Sequence, residues 1–190
     1  MQVKRSKYYV NPSLLNAFTN GYDSLISSIK REPIEETQAM IDGKLFEERV
    51  VKGEVEELRP VLQGALYQTF LYRPINEYIG ILGFSDFIKY DTIYDTKYKK
   101  SYELGAFKKS TQHLAYTYCA DMQKFEYIIG VGKNIYYEGY LRDDKKLFGI
   151  VNSFLSYLDF IGLRHTFEQN YSTERYKEQI EDCLYWQERN

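Results

Sequence analysis

Residues 83–97, GFSDFIKYDTIYDTK, constrain this chain more than any other stretch. Two β-branched and aromatic runs meet at Tyr90-Asp91, which predicts a β-hairpin with those two residues as its turn. That register sets Asp86 opposite Asp95. Opposed residues of an antiparallel pair have Cβ atoms about 4.5–5.5 Å apart, close enough for both carboxylates to hold one cation. Lys97 lies two residues beyond Asp95 and returns to the same strand face. Adjacent carboxylates repel, so a sequence shaped by stability alone has little reason to gather them. An Asp-x-Lys triplet by itself is also ordinary surface charge, and its company has to distinguish the two readings.

The rest of the chain predicts alternating strands and helices. Residues 7–10 suit a short strand. Asn11 as N-cap with Pro12 at the first helical position opens a helix carrying Leu14, Leu15, Phe18, Leu25 and Ile26, kinked or broken at Asn20-Gly21. Pro33 restarts the chain, and residues 35–52 predict a second helix with Met40, Phe46 and Val50 inward. Glu47 and Glu48 sit side by side on it, and only one can face the hairpin. A short helix over 54–63, shortened or kinked by Pro60, leads into three consecutive antiparallel strands over 65–75, 78–89 and 92–99. Residues 105–122 predict a helix on which Gln112 and Tyr116, four apart, share a face. A second hairpin follows over 125–131 and 134–142, around Gly132-Lys133. Residues 144–163 form an amphipathic helix. Ser172 or Thr173 then caps a last helix to Arg189, with Tyr176, Ile180, Cys183, Leu184 and Trp186 on its apolar side. The pattern is a mixed α/β (α+β) class in one domain over residues 1–190, with the helices from about residue 144 packed on the sheet or on a second subunit.

Charge and cysteine content bound the function. A net charge of −2 and a pI near 5.8 argue against a generic nucleic-acid binder. Bulk charge can still hide a local patch, and Lys97, Lys99, Lys100, Lys108 and Lys109 are the densest basic run beside the hairpin. That run suits a phosphate track or a solvated face equally well. Two distant cysteines, Cys119 and Cys183, offer neither a disulfide framework nor a four-ligand metal site and read as small buried hydrophobes. No apolar run approaches the roughly 18–20 residues of a membrane span, and the N-terminus is polar and basic. A soluble, cytoplasmic protein without membrane contact is the expectation. His113 and His165 stand alone and read as hydrogen-bonded structural residues. Twenty tyrosines could serve base stacking or reflect compositional bias, and they decide nothing.

Four pieces in order give the hairpin its company: Glu47 after Gly43-Lys44-Leu45-Phe46, Asp86 in Gly83-Phe84-Ser85-Asp86, then Asp95-Thr96-Lys97, then Gln112 and Tyr116. With these the chain resembles the PD-(D/E)XK nuclease superfamily over about residues 12–118, and most of all its RecB-like and Cas4-like exonucleases. The spacing from Gly43 selects Glu47 over Glu48. The resemblance implies a restriction-endonuclease-like core, a central mixed sheet flanked by helices. It implies a Mg²⁺- or Mn²⁺-dependent deoxyribonuclease, an exonuclease more than an endonuclease, of a phage or a bacterial recombination and repair system. Glu47, Asp86, Asp95, Lys97, Gln112 and Tyr116 would be its catalytic positions. Glu47, Asp86, Asp95 and the Thr96 carbonyl would be its metal ligands. Lys99, Lys100, Lys108 and Lys109 would contact DNA, with a second copy or a recombination protein as further partner. The iron–sulfur cluster of many relatives needs four cysteines, so this chain would belong to a cluster-free branch. The rival is a catalytically inactive DNA-binding or partner-inhibiting module of the same fold.

Overall fold

The computed structural model describes residues 4–187. β1 (Tyr8–Val10) leads into α1 (Pro12–Asn20) and α2 (Tyr22–Lys30). The expected N-cap is made, Asn11 Oδ1 accepting from the Leu14 amide at 2.8 Å, and Gly21, at φ 126°, forms the break between the two helices. α3 (Gln38–Val51) and a short α4 (Arg59–Leu62) precede β2 (Leu66–Pro74), β3 (Ile79–Lys89) and β4 (Thr92–Tyr98). α5 (Gln112–Ala120), the hairpin β5 (Lys124–Val131) and β6 (Asn134–Leu141), then α6 (Asp144–Phe160), α7 (Arg164–Asn170) and α8 (Lys177–Gln187) complete the order.

The six strands form one mixed sheet in the order β1-β3-β4-β5-β6, with β2 on the other edge of β3. The three consecutive antiparallel strands form as expected, while β4 and β5 run parallel. Because β2 occupies one edge of β3, β1 and β4 share the other. β1 pairs there with Ile79–Ile81 and β4 with Phe87–Lys89, so residues 82–86 have no strand partner on that edge. Tyr116 and Pro12 pack on the face of β3 here: a Cβ on Gly83 would stand 2.4 Å from Tyr116 Cε1 and 3.4 Å from Pro12 Cδ. Only glycine permits that approach.

The sheet separates two apolar layers. Tyr127 and Ile129 face a large core with Ile81, Leu114 and Phe154, whereas Ile128 between them faces Phe46, Val50, Leu58 and Phe87 under α3. α6 and α7 bury Leu147, Phe154 and Phe167, and the two helices are bent by 119° where Gly162 takes φ 71°. Among the described residues no single helix is long and apolar enough to cross a membrane.

Several expectations are corrected. Met40 is 41 % exposed, because six residues of helix turn it about 240° from Phe46. The helix expected over 54–63 is shortened, not kinked: a 3₁₀ turn over Glu56–Leu58 precedes the four residues of α4, with Pro60 in its first positions. The helix expected over 105–122 is confined to α5. Residues 103–110 instead form successive tight turns, with Gly105 at φ 90°. α6 stops at Phe160, and α7 was not anticipated. Trp186 is exposed, Cys183 only half-buried, and Arg189 lies outside the described residues. His113 is buried and stacked on Tyr140, but its Nδ1 has no hydrogen-bond partner among the described residues.

Candidate active site

Asp86 and Asp95 meet where β3 and β4 part. The two-residue turn forms, with Tyr90 at φ 53°, and pairing runs Lys89–Thr92, Ile88–Ile93, Phe87–Tyr94. It ends there, so the two aspartates are not the directly opposed ladder pair the register predicts. β4 continues instead along β5, with Asp95 beside Tyr127 and Thr96 beside Ile128. A parted strand leaves backbone groups that need partners. Asp86 Oδ2 takes the Thr96 amide at 2.8 Å and the Thr96 Oγ1 hydroxyl at 3.1 Å. A strand residue presents its N–H and C=O to the same edge, so the Thr96 carbonyl also faces the opening.

Asp95 is 1 % exposed. Its Oδ1 accepts a hydrogen bond from Gln112 Nε2 at 2.8 Å. Its Oδ2 is ion-paired with Lys97 Nζ yet accepts no hydrogen bond of ordinary geometry. Burial, opposed by Lys97 and reinforced by Asp86 and Glu47, lifts the Asp95 carboxyl to about 7. Burial works against the charge on Lys97 too. There Asp95, Asp86 and Glu47 outweigh it and hold the ammonium above its usual range.

Glu47 is half-buried on α3, and its Oε1 accepts from the Tyr67 hydroxyl at 3.0 Å. Its neighbour Glu48 is exposed and pairs with Lys52 at 3.8 Å. Burial and then Glu47 push the Tyr67 phenol up to about 12. Tyr67 escaped the sequence reading because its place opposite Phe87 depends on a register that local pattern does not reveal. Gln112 begins α5, whose start is tied down by the preceding residue. The Thr111 amide donates to Asn16 Oδ1 at 2.7 Å and its hydroxyl to the Pro12 carbonyl at 3.0 Å. Tyr116, one turn on, is buried against Gly83 and Phe125, and burial with Asp95 and Asp86 holds its phenol above the ordinary range. Its ring packs the core beneath the acids. Among the described residues, no three His, Cys, Asp or Glu side chains are gathered closely enough to hold a metal by themselves. The acids converge as a pair, with Glu47 tethered to Tyr67.

Lys99, Lys100, Lys108 and Lys109 are exposed on the segment from the end of β4 to α5. A second buried acid shapes that segment. Glu138, 4 % exposed on β6, accepts from the Tyr102 hydroxyl at 2.6 Å, the Gly105 amide at 3.1 Å, the Phe107 amide at 3.2 Å and the Tyr140 hydroxyl. Burial alone would raise its pKa, but these donors outweigh it and hold the carboxylate below its usual range.

No family model matches the sequence, and no curated protein matches it. Solved structures do match the fold. An alkaline exonuclease, LHK-Exo from Laribacter hongkongensis, superposes with a TM-score of 0.60 at 12 % identity, over 90 % of this chain and 94 % of its own. That enzyme has also been crystallised with dAMP. A phage-related exonuclease from Haemophilus somnus 129PT gives 0.55 at 16 % identity, over 86 % of this chain and 95 % of its own. The protein SSO0001 gives 0.56 at 15 % identity, over 78 % and 76 %.

Proposed function

For a chain that has the PD-(D/E)XK nuclease fold, we propose a Mg²⁺- or Mn²⁺-dependent nuclease that hydrolyses DNA phosphodiester bonds, an exonuclease before an endonuclease. The observation that carries this reading is Asp95: a carboxylate in the core, at the parting of two strands, with Gln112 on one oxygen and only the Lys97 ion pair on the other. The Asp95 oxygen paired with Lys97, the oxygen of Asp86 not engaged by Thr96, and the Thr96 carbonyl are hard donors of the kind that suit Mg²⁺ and Mn²⁺. They would hold the ion, and Glu47 would complete the set. When bound, such an ion offsets charge on the phosphoryl group and lowers the pKa of an attacking water.

The chain's own residues supply the rest. Lys97 keeps its proton among carboxylates, so its part is to donate to the phosphoryl oxygens as charge builds there, not to act as a base. Gln112 holds the Asp95 carboxylate in orientation through one oxygen and leaves the other to Lys97. Lys99, Lys100, Lys108 and Lys109 would neutralise backbone phosphates without reading sequence. Water adds across the bridging P–O bond, leaving one product end with a phosphate and the other with a hydroxyl. Recombination or repair in a bacterial cell or a phage-infected host is the setting we propose.

The test is incubation with end-labelled linear and covalently closed circular DNA, in Mg²⁺, Mn²⁺ or EDTA, beside Lys97→Ala. Metal-dependent loss of linear DNA alone, reduced about 10²–10³-fold in the variant, is expected. Cutting of the circle would make it an endonuclease. A folded protein that cleaves nothing with either metal would sink the enzyme in favour of a non-catalytic binding module. That second reading draws on the acidic net charge and on the tether of Glu47 to Tyr67.

A further inference from the structure

Next to Glu47 lies a pocket of about 430 Å³, within the usual range of about 300–1,000 Å³ for small-molecule sites. Val50 and Val51 line it, three and four residues after Glu47, so they stand on the same face of α3 as that acid. Leu58, Leu62 and Phe87 complete the apolar walls. Tyr67 joins the two sites: it lines the pocket, is 42 % exposed, and donates to Glu47. Lys52, which pairs with Glu48, and Arg59, whose Nε donates to the Gly53 carbonyl, also line the pocket, and Gln63 adds an amide.

We infer that this pocket is a subsite for one unstacked nucleotide of the bound strand, its base on Tyr67 and the apolar wall and its phosphate toward Lys52 and Arg59. An aromatic face accepts any base, because every base has a π-face, and cationic groups beside it match the phosphate. A larger cavity, about 840 Å³ between β2 and α8, has the wrong charge for this ligand: two acids, Asp121 and Asp182, and one cation, Arg73, line it, whereas two cations and no acid line the pocket beside Glu47. None of the larger cavity's lining residues belongs to the acid cluster. A base seated on Tyr67 would fix the ring and, through the phenol, the carboxylate of Glu47. The inference rests on the nuclease reading for its place in a reaction, and its test is independent of turnover.

The probe is 2′-deoxyadenosine 5′-monophosphate, titrated in EDTA into protein carrying ¹³C-labelled valine and leucine methyls. Intermolecular NOEs from adenine H2 and H8 to Val50, Val51 and Leu62 are expected. Val51→Trp, at a position 45 % exposed and therefore tolerant of a larger side chain, should weaken binding about tenfold or more. Tyr67→Phe, which keeps the ring, should retain binding, and Tyr67→Ala should lose it. No binding, NOEs to other methyls, or wild-type affinity in folded Val51→Trp overturns the subsite. Failure of the nuclease reading looks different: the wild type cleaves no DNA in Mg²⁺ or Mn²⁺, whatever the NOEs show.

Discussion

Asp95 and Glu138 stand in one row across the sheet, on either side of Tyr127, and both are almost wholly buried. Their fates are opposite. Glu138 gathers four hydrogen-bond donors, two backbone amides and two phenols, and its pKa falls. Asp95 has Gln112 on one oxygen and only the Lys97 ion pair on the other, and its pKa rises to about 7. A buried acid that folding alone satisfies is a structural part. One left incompletely satisfied costs stability, and such groups gather where an outside partner finishes the job. Under the proposed function, the contrast separates the acid that holds the chain from the acid offered to a metal ion.

The largest effect expected is on activity. Asp95→Asn should reduce metal-dependent cleavage by about 10³-fold or more, since it removes the charge while keeping the shape. It should not lower the melting temperature in EDTA, because it also removes a desolvated carboxylate. A variant that cleaves normally would place the chemistry elsewhere. Glu138→Gln should do the reverse. Its NH₂ replaces one carboxylate oxygen, so either the Gly105 or the Phe107 amide meets a donor where it needs an acceptor, at a cost of about 3 kcal/mol. For a chain of this size that is roughly 6–12 °C in Tm, read by calorimetry. A smaller loss in Glu138→Gln than in Asp95→Asn would erase the distinction.

The pH dependence of stability sharpens the contrast further. His113 is stacked on Tyr140 at 4.1 Å, and burial and Lys146 hold its pKa down to about 4. Below about 6.5 the unfolded histidine takes a proton that the folded one refuses. Its contribution is therefore complete above 6.5 and is lost as pH falls toward 4. Asp95 has the other sign. Between the ordinary aspartate range and 7 the unfolded acid is charged and the folded one is not, so stability falls as pH rises. In EDTA the two slopes should largely cancel. Asp95→Asn should expose a rising slope of up to about 1.4 kcal/mol per pH unit, and His113→Gln a falling one. Parallel urea-denaturation profiles for wild type and Asp95→Asn would contradict the assigned origin.

Much of this contrast was legible in one half and hidden in the other. The Tyr90-Asp91 turn set the register Lys89–Thr92 from local sequence, and Asn11-Pro12 announced α1 through its cap. The parting of β3 from β4 was not legible, because it depends on β1 and β5, strands distant in sequence that take up the neighbouring edges. The same holds for Glu138. Its donors come from residues 31–36 positions earlier and from Tyr140, so no window around residue 138 shows them. Glu47 was distinguished from Glu48 only through Gly43 and the family resemblance, and their different exposure needed the helix in place. Gly105 could have warned that the helix before Gln112 would not form, since its positive φ closes the turns that replace it.

The smallest effect expected belongs to the basic loop that Glu138 shapes. Lys108→Ala and Lys109→Ala remove exposed side chains for which no hydrogen bond or ion pair is seen among the described residues, so each should change stability by less than about 0.5 kcal/mol. If they contact phosphates, each should reduce the slope of log K against log salt by about 0.7 on single strands or 0.9 on duplex, measured by fluorescence anisotropy. The Glu138 variant then becomes a control for position. Glu138→Gln keeps both lysines and removes one negative charge, which by itself favours DNA, so a reduced slope there would mean that the loop's fold is needed to present the lysines. An unchanged slope in the lysine variants would make the loop a solvated face. The donors around Glu138 would then serve the sheet alone, and the asymmetry between the two buried acids would rest on the Asp95 side.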